Sequence, residues 1–173
     1  MIKLIGTALL LITSIMTGSL AAEGLKARVS ALKQVRIMLE SLRLMIRYEA
    51  LEVSEIVRRL SEDRELSGLK FISPLKKYSD DCFEKGLATF DEIWERALSE
   101  NTGDLPNEGV SVLSRTGKIL GSCDCDGQLS ALSILCEETD RLIAEAKEQY
   151  LAKGKLYRAL GAVAGAFIAV IAV

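Results

Sequence analysis

The 173-residue chain contains no histidine. That absence removes Ser-His-Asp and Cys-His catalysis, histidine-ligated zinc, and the one side chain that ordinarily changes charge near neutral pH. Proline is nearly missing too: Pro74 and Pro106 are the only two, so long helices are possible almost everywhere. Aromatic residues make up 5%, which leaves Trp94 and the phenylalanines as the bulky fillers of any core. Neither charge sign dominates, with a net charge of −2, so the basic footprint that nucleic acid requires is absent. No Gly-x-x-x-x-Gly-Lys-Ser/Thr loop exists to cradle phosphate, and Gly117-Lys118 lacks the flanking pattern. These absences predict a protein that is not an enzyme and takes no cofactor, small-molecule substrate or nucleic acid.

Cysteine occurs four times, at Cys82, Cys123, Cys125 and Cys136, and nowhere as Cys-x-x-Cys. Cys123-x-Cys125 is tighter than the usual zinc knuckle. Cys136 falls on an apolar helical stripe, where a thiol acts as a small hydrophobe. Cys82 follows Asp80-Asp81 with no partner in view. No metal site is expected, and a cysteine-based metal or redox protein would need Cys123 and Cys125 together.

What the chain does have is two uncharged apolar runs. Leu4 to Ala22 spans 19 residues and Ala159 to Val173 spans 15. At 1.5 Å per residue the first is close to the ~30 Å of a bilayer's hydrocarbon core. Leu156 and Tyr157 extend the second, with Lys155 and Arg158 reaching back to head groups. Lys26, Arg28, Lys33 and Arg36 follow the first run, and Lys147, Lys153, Lys155 and Arg158 precede the second. Basic flanks stay in the cytoplasm, so the expectation is a two-span protein with both termini outside. The predicted division is a transmembrane helix at 1–22, a cytoplasmic helical domain at 23–158 and a transmembrane helix at 159–173. The alternative is an exported, tail-anchored protein, because Lys3, the apolar run and Ser19-Leu20-Ala21 also resemble a signal cleaved after Ala21. Gly161-x-x-x-Gly165 supplies small residues for close helix packing in lipid, with the first span or with another subunit in a homo-oligomer.

The middle segment is helical in pattern. Apolar residues at 25, 29, 32, 35, 39, 42, 46, 50, 53, 57 and 60 predict one uninterrupted helix. Met38, Leu44, Met45 and Ile56 lie off that stripe, which predicts partners on more than one side. Its basic face includes Arg36, Arg43 and Arg47, a candidate surface for docking an acidic partner or the anionic membrane leaflet. Ser67-Gly68 marks a break. Ser73 is the predicted cap of the next helix, with Pro74 at its first position and Gly86 at its end. Thr89-x-x-Glu92 reads as a capping box ahead of Phe90, Ile93, Trp94 and Leu98. After the loop at 101–109, Asn107 opens a helix that is expected to stop at Leu120-Gly121. A last helix begins near Asp124 to Gln128 and continues into the second apolar run. With no useful strand alternation, the fold class is all-α.

The stretch GSCDCDGQ, residues 121–128, therefore reads as a helix–helix corner. Gly121 ends one helix, and Asp124 or Asp126 caps the next. At this corner the chain resembles the stage III sporulation protein AB family. The matching positions are Leu120, Gly121, Asp124 and Gln128, then Lys155, Leu156, Tyr157, Arg158, Leu160 and Gly161 ahead of the glycine-bearing run with Gly165. Length, a Leu-rich first helix ending near Ile46-Arg47-Tyr48, and Trp94 agree as well. One departure is that Glu49-Ala50-Leu51-Glu52-Val53 stands where relatives carry Gly-x-x-Pro-Leu, so the first helix is expected to run straighter here. The resemblance implies a helical bundle similar to the cytoplasmic domain of the F-type platform protein of type II secretion and type IV pilus machines. It implies a membrane scaffold, in the mother-cell membrane around the forespore, for the sporulation channel complex and its secretion-type ATPase.

Overall fold

The computed structural model describes the backbone of residues 2–49, 51–122 and 125–172. Most side chains of residues 1–19 and 157–173, and those of residues 121 and 122, lie outside the described set. Every described regular element is helical: α1 (Ile2–Leu44) running into a wide π turn (Met45–Glu49), α2 (Val53–Glu62), a short 3₁₀ turn (Arg64–Leu66), α3 (Ile72–Tyr78) running into a second π turn (Ser79–Phe83), α4 (Phe90–Glu100), α5 (Asn107–Ser122) and α6 (Cys125–Ala172).

The chain forms two compact units. One comprises Met1–Val29 with Ala144–Val173, the other Ser30–Ile143, and helices α1 and α6 contribute residues to both. Within the first unit Ala22 and Ala146 are buried. Gly154 is buried too, and a methyl group there would sit 4.0 Å from the Ala22 Cβ, so α1 and α6 meet through small residues at this point. Among the described residues no helix is long and apolar enough to cross a membrane. The runs at 4–22 and 159–173 fall mostly on side chains outside that set.

The second unit carries the core. The predicted α1 stripe is buried at Leu32, Val35, Leu39 and Leu42, and Met38, off the stripe, is fully buried as well. The expectation of partners on two sides holds there and fails at Leu44, which is 50% exposed. Phe71, Phe90 and Trp94 form a chain of tilted aromatic contacts with centroids 5.3 and 5.5 Å apart. Around it pack Leu60, Leu66, Leu69 and Leu75, with Ile93, Leu113, Leu132 and Leu135.

The largest correction concerns the first helix. Instead of continuing to residue 60, the helix widens into a π turn at Met45 and ends, and Glu52 is extended at φ −64°, ψ 152° before α2 begins. No proline or glycine causes this. The bend is set by burial of Ile56, Val57 and Leu60, 1–3% exposed, and by an ion pair at 2.6 Å between Glu49 and Arg59. The expected straighter path is therefore not found.

Two smaller corrections follow. Helix α3 starts at Ile72 after Phe71, so Ser73 is not its cap and Pro74 is its third residue. That position costs little, because first-turn amides have no intrahelical acceptor. Helix α5 runs to Ser122, placing Leu120 and Gly121 in its last turn rather than at its end. Other signals read true. The Thr89 N–H donates to Glu92 Oε2 at 2.8 Å while the Glu92 N–H donates to Thr89 Oγ1 at 3.4 Å, a complete capping box. Gly86, at φ +69°, closes the second π turn in a Schellman arrangement, with the N–H of Leu87 donating to the Cys82 carbonyl at 2.8 Å.

Candidate functional site

Two of the signature residues at the α5–α6 corner meet directly. Leu120 is buried in the last turn of α5, where helix carbonyls run out of intrahelical donors. Gln128, in the first turn of α6, donates its Nε2–H to the Leu120 carbonyl at 3.2 Å. The amide thus ties the end of one helix to the start of the next. Asp126 is exposed in the same first turn of α6, where negative charge suits the helix dipole. Asp124 and Cys123 lie outside the described residues, as does anything beyond the backbone of Gly121.

Behind the corner lies a cavity of about 260 Å³ lined by Ile46, Leu51, Val53, Ile56, Leu120, Cys125 and Gln128. The corner and the α1–α2 bend therefore share one apolar space. Cys125 bridges them, its Sγ lying 3.9 Å from the Ile46 carbonyl. A larger open groove of about 780 Å³ adjoins it through Val53 and Leu120, walled by Phe83, Ala88 and Phe90, with Asp91 and Lys118 as its charged members. Among the described residues no group of three His, Cys, Asp or Glu could hold a metal ion. Cys136 is buried on its stripe, and that burial pushes its thiol pKa up.

The basic face of α1 divides in two. Arg36 Nε donates to both carboxylate oxygens of Asp140 on α6 at 3.1 Å, and its Nη1 donates to Glu40 at 3.1 Å. Arg43 Nη1 donates to the same Glu40 at 3.0 Å. Burial works against Glu40 ionising, yet Arg36 and Arg43 outweigh it and hold the carboxyl below its usual range. Arg36 and Arg43 thus serve a network that pins α1 to α6 inside the second unit. Arg47 is exposed, its guanidinium 5.7 Å from the ring centroid of Tyr48, itself 72% exposed. Of the three, Arg47 is the one presented outward.

Of the membrane-proximal signature, Lys155 and Leu156 are exposed on α6. The side chains of Tyr157, Arg158 and Leu160 lie outside the described set, as do Gly161 and Gly165 beyond their helical backbone. Sequence reasoning missed Asp140 as the partner of Arg36, the Glu49–Arg59 clamp and the Ala22–Gly154 contact. The Glu40 links to Arg36 and Arg43 were readable from their i,i+4 and i,i+3 spacing. The others join distant parts of the chain and left no local signal.

The family model for stage III sporulation protein AB matches residues 3–173, and the chain belongs to that family. It is accordingly a sporulation-related protein. No curated protein and no solved structure matches it.

Proposed function

We propose that this sporulation protein is a non-enzymatic scaffold, held by two spans in the mother-cell membrane around the forespore. Its helical unit, F-type platform-like and cytoplasmic, receives the ATPase of the sporulation channel complex and links it to the membrane. The observation that carries this reading is the build of α1 and α6, of 43 and 48 residues. Each has an uncharged run at one end and core-forming, charged residues at the other. At 1.5 Å per residue they are about 65 and 72 Å long, more than twice the ~30 Å that a bilayer core takes up. Basic residues flank both runs on the side of the central segment, which supports a cytoplasmic centre. For docking, Arg47 with the exposed Lys33 supplies the cationic surface, while Arg36 and Arg43 keep that surface in place through Glu40 and Asp140.

Detergent extraction from sporulating cells, followed by capture of the tagged full chain and mass identification of what comes with it, tests this reading. Recovery of the channel ATPase from wild type and its loss with Arg47→Glu are expected. Capture of no channel subunit would overturn the scaffold. Intact mass of the purified protein separates the exported alternative, which requires a chain beginning at Ala22.

A further inference from the structure

Within the first unit, the contact between Ala22 and Gly154 gathers two kinds of side chain into one band. Positions within four residues of either lie about 6 Å or less along a helix from that contact. Over those positions the chain carries Lys26, Lys153, Lys155 and Arg158 against the single acid Glu23, although its total charge is −2. Positive charge is therefore concentrated here. Lys26, Lys153 and Lys155 are exposed. So are three leucines of the same band: Leu20 at 60%, Leu151 at 54% and Leu156 at 53%. A single exposed leucine is ordinary on any surface. Three of them around one helix contact, set among lysines, form a surface that suits neither water nor a protein core.

Lengths decide where such a surface belongs. The uncharged run at 159–173 holds 15 residues, about 23 Å of helix, and falls short of a ~30 Å hydrocarbon core. Counted from Leu151, the stretch to Val173 holds 23 residues, about 35 Å, and α6 is continuous through it to Ala172. The shortfall is made up when Leu151 and Leu156 enter the apolar layer. Lys153 and Lys155 then lay their stems along that layer and carry their ammonium groups to the head groups. Lys26, one turn beyond Ala22, comes to the same zone from α1. A soluble acidic partner would use the lysines and leave the leucines in water, whereas a lipid uses both.

We propose that this band is a binding site for anionic phospholipid. Lys26, Lys153 and Lys155 meet the head-group phosphates, and Leu20, Leu151 and Leu156 lie at the acyl boundary. A recess of about 100 Å³ lined by Tyr150, Leu151, Gly154 and Lys155 gives one lipid a place to seat. The inference rests on the reading of the two apolar runs as spans, and it goes beyond that reading in naming the class of lipid: head groups of net negative charge in preference to zwitterionic ones.

The test exposes the full chain in detergent to equal amounts of phosphatidylglycerol and phosphatidylcholine with the same acyl chains, and weighs the bound lipids by native mass spectrometry. Wild type should carry phosphatidylglycerol in clear excess. A lysine beside an anionic surface contributes about 1 kcal/mol, a factor of about five. Lys155→Gln should lower the preference by that factor, and Lys26→Gln, Lys153→Gln and Lys155→Gln together should abolish it. Lys70→Gln, Lys77→Gln and Lys85→Gln together remove the same charge from exposed positions of the second unit and should leave it unchanged. Equal binding of the two lipids by wild type overturns the site, as does an equal loss in the two triple variants. The spans are read separately, by retention of wild type in vesicles of pure phosphatidylcholine through an alkaline wash. Retention without a phosphatidylglycerol preference sinks the lipid site alone. Release from those vesicles sinks the spans, and the placement of the band with them.

Discussion

The indole of Trp94 lies directly against the backbone of Gly117, one helix over. Its Nε1–H donates to the Leu113 carbonyl at 2.7 Å, and a methyl group on Gly117 would stand 2.6 Å from the indole Cγ. Trp94 is fully buried, so the ring has nowhere to retreat. Glycine is present here because the α4–α5 crossing is too close for a side chain, and not for any freedom of its backbone.

Gly117→Ala should therefore destabilise the protein. Helix propensity alone favours alanine by about 1 kcal/mol. Overpacking of a core costs roughly 1–3 kcal/mol, and a rigid indole at this distance puts the clash at the upper end. The net expectation is a loss of about 1–2 kcal/mol, read as a lower denaturation midpoint in urea at unchanged slope. A stabilised variant would show that the α4–α5 crossing has room for a side chain at this position.

Gln128→Ala removes the amide that caps the Leu120 carbonyl. A hydrogen bond of this kind is worth about 0.5–1.5 kcal/mol. Because the bond joins the last turn of α5 to the first turn of α6, the loss should be local. Hydrogen exchange is expected to quicken at the corner and to leave the amides of α4 unchanged, whereas uniform acceleration would mean that the corner carries global stability.

Acid should weaken the α2 surface. Arg58 and Arg59 hold the Glu55 carboxyl at about 2, against its ordinary 4.5. A depressed carboxyl contributes stability that is complete above pH ~4.5 and is lost as pH falls toward about 2. The pairs are solvent-exposed, so the effect is small and shrinks further in salt. Helix content followed from pH 5 to pH 2 should fall less steeply in Glu55→Gln than in wild type, and the difference should fade at 1 M salt. An identical slope in the two proteins would place the acid response elsewhere.

The corner and the basic face show why the site was only partly readable. Leu120 and Gln128 stand out in the sequence because they sit at fixed positions around a turn, and the contact between them is short-range. The Arg36–Asp140 pair spans 104 positions of chain, so no local pattern announces it. Without Asp140 in view, Arg36 and Arg43 look like a free cationic surface. Once Asp140 is in place they are bracing, and Arg47 is left facing outward.

The sequence by itself determined the helical class, the long α6, the capping box at Thr89 and the burial of Trp94. Each follows from periodicity or from residues a few positions apart, where local hydrogen bonds and one apolar face suffice. Tertiary structure alone decided that the first helix ends by Glu49 and a second begins at Val53, because an in-phase apolar stripe is equally compatible with a straight helix and a folded-back one. The choice between them rests on what Ile56, Val57 and Leu60 pack against, and on Arg59 reaching Glu49. Those partners are brought together only when the whole helical unit has formed.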